Sequence, residues 1–406
     1  MYIVFVNIFV KVKLMEKNLQ KYPHISFLPK WEIKEDTIYE LGQCDSIIRA
    51  LRDIPIKPVY RRMLLSVSLI KGAQATTAIE GNTLTNEEVE KVNDGIKLPP
   101  SKEYQEIEVS NILNALNELL KEVTTDNKLE IISIDLIKRF NYLVGKDLGE
   151  HFEAIPGRLR NYNVIVGVKY RPPDYHDVES LLKQFCDWSV KEFHFAKGQD
   201  FSDSVIQAIV SHVYIAWIHP FGDGNGRTAR LLEFYILLRS GNPDFASHLL
   251  SNFYNETRNE YYRHLEKSTK TGNLSDFIAY AIKGYRDGLN NILSLIQLDQ
   301  FKTSWINYVH ETFQTNKIKS KNENLNKRRR NLMLAIPIDK RLTIDEILNL
   351  NVDIAASYKI LSQRTLMRDI KELIDLELLK NEQDAYWANI ELLRRYIPKK
   401  ISKINN

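Results

Sequence analysis

Cysteine is nearly absent from the 406-residue chain: Cys44 and Cys186 lie far apart and without metal-ligand spacing. That excludes a disulfide framework, and a reducing, cytoplasmic setting is the simpler expectation. Charge of one sign is also scarce. The 56 basic and 52 acidic residues leave a net charge of +4, too small to imply a nucleic-acid partner for the whole chain. Glycine and proline, at 16 and 13, are not in excess, so a low-complexity chain is excluded. No apolar run reaches transmembrane length. The first residues, MYIVFVNIFVKVKLMEK, are too short for a span and lack the basic start and cleavage site of a signal peptide. They read either as a strand or as a segment ahead of a start at Met15, and no membrane partner is expected.

What is present is ordinary globular composition, 44% apolar and 27% charged, long enough for two or three domains. Helical periodicity recurs over 58–78, 105–122, 131–145, 176–193, 203–218, 226–239 and 276–296. The expected class is therefore mainly α. One β signal interrupts it: NVIVGVKY at 163–170, followed by Pro172-Pro173, suggests a hairpin or flap. A basic run, NKIKSKNENLNKRRR at 316–330, marks the best domain boundary and reads as a solvated linker or helix face.

The chemistry concentrates at HPFGDGNGRTAR, residues 219–230. The stretch before it, 203–218, is apolar nearly all round and belongs inside a bundle. Pro220 stops that helix and biases His219 out of helical geometry. Gly222, Gly224 and Gly226 permit positive φ, so backbone N–H groups can gather into one concavity ahead of the next helix, an anion site. Arg227 and Arg230, three apart at that helix's start, oppose its dipole unless an anion lies among them. Asp223 is a hard oxygen ligand suited to the Mg²⁺ that accompanies polyphosphate. His219 is a base near neutrality. The set predicts phosphoryl-type transfer to an acceptor activated by a histidine. A Gly-rich turn between core helices, with the arginines solvated, is the plain alternative.

The stretch resembles the Fic-domain signature, H-P-F-x-D-G-N-G-R-x-x-R, at every specified position, and the resemblance extends over roughly 30–300. It implies a Fic-type helical bundle with a β-hairpin flap, and transfer of AMP from ATP to a hydroxyl side chain of a target protein. It implies that His219 deprotonates that hydroxyl and Phe221 anchors the loop. Asp223 would hold Mg²⁺, Gly224, Asn225 and Gly226 would cradle phosphate, and Arg227 and Arg230 would bind the β- and γ-phosphates. The implied catalytic core is 106–300.

Upstream, TTAIEGNTLTNEEVE at 76–90 closes a helix at Gly81 and opens another with a Thr85/Glu88 capping box. Glu80 then sits at a negative helix end and needs a cation. Thr76 to Gly81 resembles the family's inhibitory pattern, [S/T]-x-x-x-E-[G/N], within the helical region 31–105. The resemblance implies that Glu80 pairs with Arg230 and that the enzyme is autoinhibited. GRLRNYNVIVGVKYRPP at 157–173 resembles the target-docking flap, with Val164, Ile165, Val166 and Gly167 at its centre. Tyr261 and Tyr262 fall where the family places adenine-side residues, although aromatics at helical spacing also serve as core.

After the basic linker or helix at 301–330, SQRTLMRDIKELIDLELLK resembles the recognition helix of winged-helix domains, with Arg364, Thr365 and Arg368 outward and a wing over 379–390. A winged helix-turn-helix domain is expected over 331–406, serving DNA or protein binding, with Arg328, Arg329 and Arg330 available to phosphate. The alternative to the enzyme is a nucleotide-sensing, DNA-binding regulator. Self-modification and a homodimer stay open as partners.

Overall fold

The computed structural model describes residues 21–167, 170–193, 200–314, 322–359, 361 and 363–394. The N-terminal segment 1–20 lies outside them, as do Val168 and Lys169 of the flap. The chain is mainly helical and divides into two compact units at Leu293 and Ser294. That division falls earlier than the charge run suggests, because Trp305 and Val309 are core residues of the second unit.

The first unit holds α1 (Glu35–Asp53), α2 (Pro58–Ala78), α3 (Asn86–Asn93), α4 (Glu103–Thr124), α5 (Ile134–Gly145), α6 (Tyr175–Glu192), α7 (Asp200–Ile218), α8 (Asn225–Arg239), α9 (Leu249–Glu256) and α10 (Arg258–Thr271), and α11 (Ser275–Gln314) begins in it. At its centre α7 packs against α8. By length and composition α7 is apolar enough to cross a membrane, but 78% of its most apolar window is buried against its neighbours. Helix α2 begins with Pro58 at its first position and packs on α4 and α9. Thr85 and Glu88 form the capping box that starts α3. Ser133 caps α5 and Asp174 caps α6 through their side chains. In the flap, Val166 and Tyr170 exchange two backbone hydrogen bonds in an antiparallel bridge. Ile165 is exposed, and Val164 and Val166 are half-buried.

The second unit contains α12 (Glu323–Ala335), α13 (Ile344–Leu348), α14 (Val352–Lys359), α15 (Gln363–Asp375) and an antiparallel hairpin of β1 (Leu379–Glu382) and β2 (Ala385–Ala388). Leu342 bridges to Tyr386 at the hairpin's other edge. Arg364 and Arg368 are exposed and Thr365 half-buried. The basic triplet departs from expectation. Arg328 Nε bonds Asp369 Oδ2 at 2.8 Å and Arg329 Nε bonds Asp369 Oδ1 at 2.9 Å. Asp369 is fully buried, and an unpaired carboxylate there would be costly, so two of the three arginines turn inward.

Candidate active site

The α7–α8 connection positions the site. Helix α7 ends at Ile218, and His219 adopts φ +48°, a left-handed conformation uncommon for a non-glycine residue. Arg160 fixes that turn: its Nε donates to the His219 carbonyl at 2.8 Å and its Nη1 to the Tyr162 carbonyl at 3.0 Å. Burial pushes the His219 imidazole down to about 4, against the Ala216 carbonyl beside it, which favours protonation. The ring is therefore neutral at pH 7 with a lone pair to accept a proton.

Phe221 is fully buried and anchors the loop. The Asn225 side chain accepts from Phe221 N at 2.9 Å and donates to Phe221 O at 2.9 Å. The Asn225 side chain thus braces the loop through its oxygen and one of its two amide N–H bonds. Gly224 caps α8 with φ +74°, and the first N–H groups of α8 have no partner within the helix. Asn141, fully buried, completes the scaffold by donating to the Asp223 carbonyl at 3.0 Å and to Thr228 Oγ1 at 3.2 Å. Asp223 Oδ1 accepts from Gly224 N and Oδ2 from Glu153 N, and the side chain stays part-exposed.

The two arginines are not solvated. Arg230, 2% exposed, donates through Nη2 to Glu80 Oε1 at 2.5 Å and to the Thr76 carbonyl at 2.9 Å. Burial pushes the Glu80 carboxyl up, but the Arg230 guanidinium outweighs it and holds the group below its ordinary value. A Cβ at Gly226 would collide with the Glu80 carboxylate, so Glu80 lies over the start of α8. Arg227 is also buried. Its Nη1 donates to Glu108 on α4, its Nη2 donates to Asp223 Oδ1 at 3.1 Å, and its guanidinium lies 5.5 Å from the Phe152 ring centre. Both amino groups of Arg227 are thus engaged by carboxylates.

The tyrosines separate. Tyr261 is 3% exposed and its hydroxyl lies 2.9 Å from His212 Nε2, so this face of α10 packs inward as core. Tyr262 is half-exposed and donates to the Ile79 carbonyl at 3.2 Å, while Arg258 donates to Ala78 O at 3.3 Å. Both clamp the end of α2. Sequence reasoning gave no role to Glu108, Asn141 or Arg160. Arg160 stood inside the flap stretch, but nothing local marked the other two. Cys44 and Cys186 are free and buried, and burial pushes each thiol up to about 12. Among the described residues no group of three or more His, Cys, Asp or Glu gathers to hold a metal.

Comparison with known proteins accords with this geometry. Residues 131–237 match the model of the Fic/DOC family. "Protein adenylyltransferase Fic" of Nematostella vectensis is 30% identical over 258 residues, 63% of this chain and 56% of that one. "Protein adenylyltransferase fic-1" of Caenorhabditis elegans is 32% identical over 268 residues, 60% of this chain and 50% of its own. The chain thus spans about half the length of these curated relatives. A crystal structure of a Fic family protein from Desulfovibrio desulfuricans superposes with a TM-score of 0.54 at 19% identity, covering 89% of this chain and 98% of that one, a likeness of fold alone. The loop at 219–230 lies within the span, 131–237, over which this chain is similar to the Fic/DOC family.

Proposed function

We propose that this chain transfers AMP from ATP to a Ser, Thr or Tyr hydroxyl of a target protein and that Glu80 holds it in an inhibited state. One observation carries the reading: a half-buried, neutral imidazole lies beside a helix start whose arginine is taken by a carboxylate. In the reaction the target hydroxyl oxygen attacks the α-phosphorus and His219 Nε2 or Nδ1 takes the hydroxyl proton. The bond from that phosphorus to its bridging oxygen breaks, and pyrophosphate leaves. Backbone N–H groups of Asn225, Gly226 and Arg227 at the start of α8 would receive phosphate oxygens, with Gly224 shaping the turn. Arg230, once freed, would meet the terminal phosphate.

Asp223 suits Mg²⁺. It is one part-exposed carboxylate, and among the described residues no acidic cluster adjoins it, so phosphates and water would complete the shell. When bound, Mg²⁺ supplies charge neutralisation of the phosphates. The flap residues Val164, Ile165, Val166 and Gly167 would align the target segment by main-chain pairing. The homologues' names support a protein as the acceptor.

The test is incubation of wild type, Glu80→Gly and Glu80→Gly/His219→Ala with Mg²⁺ and α-labelled ATP. Label on protein in Glu80→Gly alone supports transfer, base and inhibition together. No label in any variant that still binds ATP refutes them.

A second reading has one observation in its favour. Arg364, Arg368 and Lys371 lie along α15 beside an open concavity of about 710 Å³ that also includes Asn381 and Tyr386. A winged-helix module using this face would bind DNA. Fluorescence anisotropy of the intact chain with duplex DNA across salt concentrations decides it, since phosphate contacts impose a steep salt dependence.

A further inference from the structure

Glu108 has no assigned role, yet it is 3% exposed and carries a carboxylate. Such a group needs full pairing. It receives Arg227 Nη1 on one oxygen and Asn82 Nδ2 at 2.8 Å on the other. Each partner leads elsewhere. Arg227 passes its second amino group to Asp223 Oδ1 at 3.1 Å. Asn82 stands two residues after Glu80, accepts from Leu84 N at 3.0 Å and donates to the Gln105 carbonyl at 3.1 Å, which pins the turn that carries Glu80. A continuous chain of hydrogen bonds thus runs Asn82–Glu108–Arg227–Asp223. The inhibitory turn touches both arginines of the loop, Arg230 through Glu80 and Arg227 through Asn82 and Glu108.

We propose that Glu108 is a positioning residue: it holds Arg227 on Asp223, and through Asn82 it ties the turn bearing Glu80 to the loop that receives the phosphates. The proposal rests on the reading of Asp223 and Glu80 given above. Its physics is that of a planar guanidinium. Arg227 can present one amino nitrogen to Asp223 at a fixed angle only while its other nitrogen is held. With Glu108 neutralised, Arg227 keeps its charge but loses that hold, and Asp223 loses its orientation. With Asn82 truncated, Glu108 and Arg227 stay paired, but the turn loses three hydrogen bonds and Glu80 is less firmly seated. The two variants therefore act in opposite directions, which a merely structural role would not produce.

The experiment reads metal binding as well as turnover. In Glu80→Gly/His219→Ala, which cannot complete the reaction, Mn²⁺ binding in the presence of ATP is followed by electron paramagnetic resonance with and without Glu108→Gln. A charge-assisted hydrogen bond supports a loss of about tenfold in Mn²⁺ affinity. In Glu80→Gly, Glu108→Gln should raise the Mg²⁺ needed for half-maximal label transfer by a similar factor, with the rate at saturating Mg²⁺ changed less than about threefold. Asn82→Ala alone should raise basal transfer above wild type. Unchanged Mn²⁺ binding in Glu108→Gln overturns the proposal, and so does Asn82→Ala that leaves basal transfer at the wild-type level while Glu80→Gly raises it. If Glu108→Gln does not fold, Arg227→Lys, which keeps the charge and loses the fork, must give the same weakening of Mn²⁺. A silent Glu80→Gly sinks the AMP-transfer reading instead, and the Mn²⁺ measurement still decides the role of Glu108.

Discussion

Glu80 Oε1 lies 2.5 Å from Arg230 Nη2, and the same guanidinium nitrogen reaches the Thr76 carbonyl at 2.9 Å. Helix α2 and the turn that follows it therefore hold the arginine twice, the turn by charge and the helix by backbone. Only the first contact can be removed by substituting a side chain. AMP transfer should rise in the order wild type, Glu80→Gln, Glu80→Gly, because Gln keeps a hydrogen bond and loses the charge. A charge-assisted hydrogen bond to a buried partner implies about ten- to a hundredfold between the ends of the series. Initial rates of label transfer at fixed ATP check it, and a flat series rejects it.

Acid stability should reflect three histidines, one buried and two half-buried, that desolvation keeps neutral. Burial pushes His24, His219 and His248 from the ordinary 6.5 down to about 4. As pH falls below 6.5 the unfolded chain takes up protons that the folded chain refuses. Stability from these groups is thus full above pH 6.5, declines between 6.5 and about 4, and levels off below. Each group contributes up to about 1.4 kcal/mol per pH unit within that window. Urea unfolding at pH 7, 6 and 5 measures it. His248→Leu should flatten the slope by one group's share. The same depressed value for His219 predicts no acid limb above pH 5.5 in the transfer rate of Glu80→Gly.

Asn225→Asp should damage the loop without changing its shape. Asp keeps an acceptor for Phe221 N and lacks the donor to Phe221 O, which leaves a buried carbonyl facing a charge. A loss of about 1–3 kcal/mol is expected, together with loss of transfer. Thermal unfolding and ATP binding, measured on the same preparation, check both.

Asp369→Ala strands two guanidinium groups, one of them in the core. Removing one member of a buried ion pair costs about 3–5 kcal/mol, and the second unit should lose a corresponding part of its melting transition. Asp369→Asn should cost less. Equal and negligible effects would show that the pairs are solvated after all.

Tyr261→Phe leaves His212 Nε2 without its partner in the core. It should lower stability by about 1–3 kcal/mol while leaving ATP affinity within twofold. A selective loss of ATP affinity would support the adenine-side role instead.

Much of this was legible from local rules. Pro58 opens α2 and the region 226–239 became Asn225–Arg239, because caps, prolines and apolar period act within a few residues. Glu80 announced its need for a cation by standing at a helix end, and the glycine-rich loop announced Arg230. The failures share one cause: a partner remote in sequence. Glu108 sits in an amphipathic helix where a glutamate reads as solvated, and its arginine is 119 residues away. Arg328 and Arg329 read as a solvated basic run until Asp369, some forty residues on, turns them inward. Tyr261 and Tyr262 are adjacent and chemically alike, and only the packing of α10 separates a core ring from a clamp. Helix α11 runs on to Gln314, well past the 296 where its strong periodicity ends, because Trp305 and Val309 find a core that local composition does not reveal.

The left-handed backbone of His219 has an evolutionary reading. Glycine or asparagine would occupy φ +48° with less strain, by about 1 kcal/mol. Neither carries an imidazole. A library of this chain selected for heat resistance alone would drift toward those residues at position 219 and fill with well-folded, inert proteins. Selection for thermal endurance and selection for chemistry pull apart at this one residue, so its identity in any thermally selected descendant reports which of the two pressures prevailed.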